Sequence, residues 1–261
     1  MKKIVVSFLL LLTASSSKAQ EVTEYILNRY FEVTTNTKEF YFVRLVQPYK
    51  NVLAYTDYDS KKRVVQTGFF TDSTFNKAIG PHKFYWEGKK LYEGNYVNGK
   101  PSGYWYFFDK KENLTDSLHY MVTETIKTPT DVTDKKEENK TIALKNEHLK
   151  KDTSITFSNV EVEASFPGGA EGWKKHLLKN IDFPELVTNT KRQQKATVVI
   201  QFIVCKDGEV CSVEAMNSFH PLLDLSAVNA IRRGNRWNPA YQNGKNVKAY
   251  RRQPITFVVP D

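Results

Sequence analysis

The sequence predicts an α+β protein: an all-β module of aromatic hairpins, then a domain of two helices packed on a three-stranded antiparallel sheet. Three observations carry this prediction. Residues 21–120 hold 23 Tyr, Phe and Trp in a repeating pattern of aromatic strand, polar turn and strand. Residues 122–158 then balance seven lysines against seven acidic residues and carry no aromatic before Phe157, the composition of a linker. Beyond residue 159 the periodicities run helix, strand, strand, helix, strand. The expected division is residues 1–19, 20–121, 122–158 and 159–261.

The first segment, "MKKIVVSFLLLLTASSSKAQ", places Lys2 and Lys3 before the apolar run Ile4 to Leu12. Ser17 and Ala19 then stand at −3 and −1 of a cut before Gln20, the form of a secretory signal peptide. The run is far shorter than the roughly 20 apolar residues that span a bilayer. No cysteine follows it, so a lipid-modified cysteine is not expected. Loss of Lys2, Lys3 and Lys18 takes the formal charge from +9 to about +6. That balance, with "RRGNR" read as a solvated face, does not point to nucleic acid. The expected location is the periplasm; retention of the segment would instead tie the chain to a membrane.

In the aromatic region, "GPHKFYWEGKKL" (80–91) aligns without gaps on "GYWYFFDKKENL" (103–114), and "KKRVVQTGFF" (61–70) resembles "KKLYEGNY" (89–96). The period is about 23–27 residues. "EGNYVNGKPSGYWYFF" resembles the MORN-type repeat, a hairpin motif, over two units. Alternating aromatics pair across neighbouring strands and build a sheet with one packed face. Such a module is either a contact surface for protein or lipid, or a small β structure whose aromatics are its core, and the core reading is favoured. In the linker, "KTIALKNEHLKK" offers at most a transient helix.

In the last region, Phe166, Pro167, Gly168 and Gly169 form a rigid loop that delivers a helix. Its stripe is Trp173, Leu177, Leu178 and Ile181, and Pro184 stops it before Phe183. "ATVVIQFIVC" (196–205) reads as a strand, "KDGE" as a turn with Gly208 at positive φ, and "VCSVEAM" (210–216) as the return strand. Asp224 is expected to cap the second helix, with Leu223 and Val228 as a staple. Leu223, Ala227, Val228 and Ile231 form its apolar stripe, and Gly234 ends it. Trp237 and Pro239 lead into a turn at Asn243–Gly244 and a final strand, which Pro254 confines to a sheet edge. Cys205 and Cys211 flank the first turn. An exported chain with an even count favours a disulfide, a diagonal placement strains it, and two buried thiols remain the other reading.

"FPGG" (166–169), "NIDFP" (180–184), "VVIQFIVCKDGEV" (198–210), "HPLLDLSAV" (220–228), "RWNPAYQNGKNV" (236–247) and "QPITF" (253–257) together resemble the C-terminal domain of TonB, in its Bacteroidetes-like form. The resemblance implies a docking module for segments of outer-membrane receptors or other envelope proteins, joined by strand addition. The residues it assigns are Val247, Ala249, Tyr250, Arg251, Arg252, Ile255, Thr256 and Phe257. It also implies TonB-dependent transport, with a proton-driven motor of the ExbB/ExbD type as partner only if the N-terminal segment is retained. The chain departs from that pattern in having no long Pro-rich spacer. The rival reading is a hairpin scaffold or antitoxin-like interaction protein with no energy-transducing role.

No enzyme is expected. His82, His119, His148, His176 and His220 are scattered, no pair has metal-ligand spacing, and no nucleophile elbow or phosphate loop occurs. Neither cofactor, metal nor small-molecule substrate is implied.

Overall fold

The computed structural model describes residues 21–121, 155–181, 195–234 and 236–258. The proposed leader, Pro184 and most of the linker lie outside the described residues.

The first half is a meander of eight strands, each antiparallel to the next: β1 (Thr23–Leu27), β2 (Phe42–Tyr49), β3 (Val52–Asp59), β4 (Val64–Phe70), β5 (Gly80–Trp86), β6 (Lys89–Val97), β7 (Lys100–Phe108) and β8 (Leu114–Tyr120). The repeat read in the sequence is a repeat of packing. A Cβ on Gly68 would fall 2.2 Å from the His82 ring, and one on Gly94 would fall 2.2 Å from the Trp105 indole. His82 and Trp105 are equivalent in the ungapped alignment. In each unit a side chain on one strand lies flat across a bare backbone on its neighbour, which requires glycine.

The second half contributes β9 (Thr156–Phe157), α1 (Gly169–Asn180), β10 (Lys195–Val204), β11 (Val210–Ala215), α2 (Pro221–Arg232), β12 (Ala240–Gln242) and β13 (Lys245–Val258). Strands β11, β10 and β13 are antiparallel neighbours, as the sequence predicts, but they do not stand alone. Strand β8 joins β11 in parallel through Tyr120 and Ala215, while β12 and β9 line part of β13. One sheet therefore runs through both halves. Trp105, Leu118 and Tyr120 share a core with Phe202, Leu223, Ile231 and Phe257. Arg232 fastens the junction from outside, donating to Asp116 Oδ1 (2.8 Å) and the Ser117 carbonyl (3.2 Å).

The Phe-Pro-Gly-Gly loop docks α1 as expected. Phe166 is buried, with ring centroids 5.1 Å from Trp173 and 5.4 Å from Trp237. Gly168 (φ 79°) and Gly169 (φ 62°) adopt left-handed backbone, which lets the chain turn into the helix. The stripe on α1 needs correction, because Leu178 is 79% exposed. The helix rests on a narrow line of Trp173, His176 and Leu177, and His176 Nε2 lies 2.7 Å from the Ala230 carbonyl on α2. Leu178 falls outside that contact.

The cap of α2 is also corrected. His220 holds the cap position with extended backbone, and its Nδ1 accepts from Leu222 N (3.3 Å). Pro221 follows at the first helical position, where its missing N–H costs nothing. The Asp224 amide already donates to His220 O at 2.9 Å, so Asp224 lies within the helix and its side chain turns inward. Leu223 and Val228 are both fully buried core residues rather than a staple across the helix start.

At the β10–β11 turn, Cys205 N donates to Glu209 O (2.8 Å) and Gly208 N to Cys205 O (2.9 Å). Gly208 has φ 85°, and a Cβ there would lie 2.1 Å from the Trp237 carbonyl. Cys205 and Cys211 are joined by a disulfide, with Cα atoms 6.1 Å apart.

Candidate functional site

Strand β13 alternates its side chains. Ala249, Ile255 and Phe257 are buried on the core face, while Tyr250, Arg252, Pro254, Thr256 and Val258 stand exposed on the other.

Its backbone divides in the same way, as the contacts of β10 establish. Val199 N donates to Asn217 Oδ1 (2.6 Å), Val199 O accepts from Met216 N (2.9 Å), and Thr197 O accepts from Asn217 Nδ2 (2.9 Å). Those groups of residues 197 and 199 are turned away from β13. Their partners Thr256 and Pro254 are thus in non-hydrogen-bonded pairs, where side chains approach closely. The Thr197 and Thr256 hydroxyls meet at 2.9 Å. It follows that the even-numbered residues 250–258 direct their backbone groups outward. Pro254 lies among them, as its missing donor requires, and takes one N–H out of the row.

The outer edge is shorter than the sequence suggests. Val247 is paired with Ala240, and Lys248 and Ala249 are paired with Thr156 and Phe157. Among the described residues the open edge therefore runs from the Tyr250 carbonyl to Val258, because pairing with β9 takes up the Tyr250 N–H. This removes Val247 and Ala249 from the expected set. Arg251, Ile255 and Phe257 bond inward to β10. They support the edge rather than offer backbone to it.

Where β9 leaves β13, a cleft of about 570 Å³ opens, lined by Ser158, Asn159, Glu163, Gln201, Tyr250, Arg251 and Arg252. Arg251 Nη1 pairs with Glu163, and Arg252 Nε donates to Gln201 Oε1 (3.0 Å). Arg251 Nε is buried without an acceptor. Two guanidinium groups against one carboxylate leave this end of the edge positive.

Residues 180–259 match the family model described as Gram-negative bacterial TonB protein C-terminal. The C-terminal region is TonB-like. The match begins at the last residue of α1 and takes in the whole open edge of β13. It covers under a third of the 261 residues and leaves the hairpins outside. No curated protein and no solved structure matches the chain. Among the described residues no helix is long and apolar enough to cross a membrane, and no group of three His, Cys, Asp or Glu could hold a metal ion.

Two buried polar clusters escape motif reading. Asp224 is fully buried and accepts from Tyr120 Oη (2.6 Å), Ser218 Oγ and Phe219 N (3.2 Å). Burial pushes its carboxyl up to about 6 against those hydrogen bonds. In the hairpins, Arg44 donates from Nε and Nη2 to the two carboxylate oxygens of Asp57, both at 2.7 Å, and Gln66 adds a bond of 2.6 Å. Burial raises the Asp57 carboxyl, opposed by the Arg44 hydrogen bond and charge. The available signal was charge at inward positions of alternating strands. Arg44 shares a face with Val46, and Asp57 with Tyr55.

Proposed function

We propose that the TonB-like domain docks extended segments of outer-membrane receptors or related envelope proteins along Tyr250–Val258, in the service of TonB-dependent transport. The carrying observation is the open row of backbone groups on β13, inside the stretch that matches the family. An edge of this kind recruits a strand through main-chain bonds with little demand on sequence, while flanking side chains set preference. Arg252 and Tyr250 flank it on the exposed face and favour a segment with an acidic residue near that end. The protein acts in the cell envelope as a binding module rather than an enzyme, and a motor partner depends on retention of the N-terminal segment. The MORN-like hairpins serve as a buttress that covers the β11 side, so that β13 carries the docking.

Pairing over a few residues gives an affinity on the order of micromolar. Titration of the labelled full chain with receptor N-terminal peptides should shift the amides of residues 250–258. Thr256→Pro removes an outward N–H and the hydroxyl contact to Thr197, but no backbone bond to β10. It should weaken binding by about fivefold or more, the worth of one hydrogen bond of ~1 kcal/mol. Shifts confined to residues 61–114, or absent across the peptide panel, would overturn this reading in favour of a hairpin scaffold.

A further inference from the structure

The hairpin module holds a cleft of about 600 Å³ that the docking edge does not use. Its size falls in the ordinary range for small-ligand pockets, about 300–1,000 Å³. Arg44, held by the buried Asp57, lies at its floor, with the guanidinium 4.7 Å from the Tyr55 ring centroid, 5.1 Å from Phe70 and 5.0 Å from Phe75. A buried ion pair contributes little to stability compared with apolar residues of similar volume. Its presence in a sheet otherwise packed by aromatics needs another reason.

Two loops over this floor hold aromatics in left-handed backbone, Phe31 (φ 62°) and Phe75 (φ 55°). Bulky residues rarely adopt that conformation, and strain of this kind collects at ligand clamps. Both rings line the cleft.

Two polar atoms lack partners among the described residues. Arg44 uses Nε and Nη2 on Asp57, which leaves Nη1 as a donor without an acceptor. His82 Nδ1 lies 3.1 Å from the Gly80 carbonyl. A carbonyl only accepts, so Nδ1 carries the proton and Nε2 is a bare acceptor, buried without a donor.

We propose that this cleft binds a neutral saccharide of one or two rings. An anion finds no uncompensated cation, because Asp57 balances Arg44 and the remaining charged residue of the lining is Glu32. A cation meets Arg44, which already occupies the aromatic cage. A sugar ring presents an apolar face to Phe31, whose other side stacks on Phe42, and hydroxyls that can both accept from Arg44 and donate to His82 or to the Ser73–Asn76 loop.

The test is NMR titration of the full chain with glucose, N-acetylglucosamine and their β-1,4-linked dimers, with phenol as a flat ligand that is no sugar. Saturable shifts of the Arg44 Nε–H and His82 ring signals are expected with at least one saccharide, in the millimolar range or tighter. Phe31→Gly keeps the left-handed backbone and removes one wall. It should weaken that binding at least tenfold and leave the amides of residues 250–258 in place, while loss of the stack on Phe42 lowers the melting temperature by a few degrees without unfolding the chain. No saturation with any saccharide, saturation by phenol alone, or saccharide binding that survives Phe31→Gly would each overturn the assignment.

Discussion

Asp224→Asn isolates the carboxyl at the junction between the hairpins and the TonB-like domain. Burial raises this carboxyl from an ordinary 3.8 to about 6 in the folded chain. A displacement of that size corresponds to about 3 kcal/mol, since each pH unit is worth 1.36 kcal/mol. The sign follows from proton linkage. Between about pH 4 and pH 6 the folded state holds the proton more tightly than the unfolded chain does. The carboxyl's contribution is fully present below pH 4 and lost as pH rises through 6. Two buried imidazoles act in the opposite sense, because burial lowers His82 and His220 to about 4. Their contributions are present above the ordinary value of 6.5 and lost as pH falls toward 4. The wild-type curve alone therefore mixes opposed terms, and the difference between variant and wild type separates them. Tyr120 and Tyr96 also feel Asp224, but burial raises both phenols, so neither titrates in this window. Asparagine suits the site: its amide N–H₂ can donate to the Tyr120 and Ser218 hydroxyls, which accept as readily as they donate, while its oxygen faces Phe219 N. Urea denaturation at pH 4, 5, 6 and 7 should show the variant gaining on wild type by about 2–2.5 kcal/mol across the range, the rest of the effect lying below pH 4. A difference that stays flat from pH 4 to pH 7 would refute the claim that an ionised carboxylate is held in this core.

Gly94→Ala places a methyl against the buried Trp105 indole and should cost about 1–3 kcal/mol in thermal or urea unfolding. Gly68→Ala should act alike through His82, and a neutral result at either site would dissolve the packing repeat. Arg232→Ala removes a half-exposed bridge to Asp116 and should cost no more than about 1 kcal/mol. Limited proteolysis in the charged stretch 122–158 should nick the chain without separating the fragments, which share one core; release of either as a free monomer in gel filtration would contradict this. Intact mass of protein from the envelope should place the N-terminus at or near Gln20, and thiol titration in denaturant without reductant should find no reactive thiol.

Short-range rules in the sequence settled a good deal. Gly208, Asn243–Gly244 and the Phe-Pro-Gly-Gly loop take positive φ where the turns need it, because backbone sterics act within a few residues. The stripe of α2, Leu223, Ala227, Val228 and Ile231, is buried because burial follows helical period on a helix covered along its length. Pro254 placed β13 at an edge, since a residue without a donor tolerates little else. What the sequence left open depended on partners distant in the chain. Leu178 fits a helical stripe by spacing, but among the described residues α1 packs on α2 and on Phe166 and Trp237 through Trp173, His176 and Leu177, a narrower face. Asp224 reads as a cap until Tyr120, 104 residues earlier, supplies the bond that draws it inward. The length of the open edge was fixed by Thr156 and Phe157, a two-residue strand with no periodicity to detect. Whether the hairpins stand apart or pack on the TonB-like domain was decided by β8 meeting β11, a pairing between strands some ninety residues apart that no local pattern encodes.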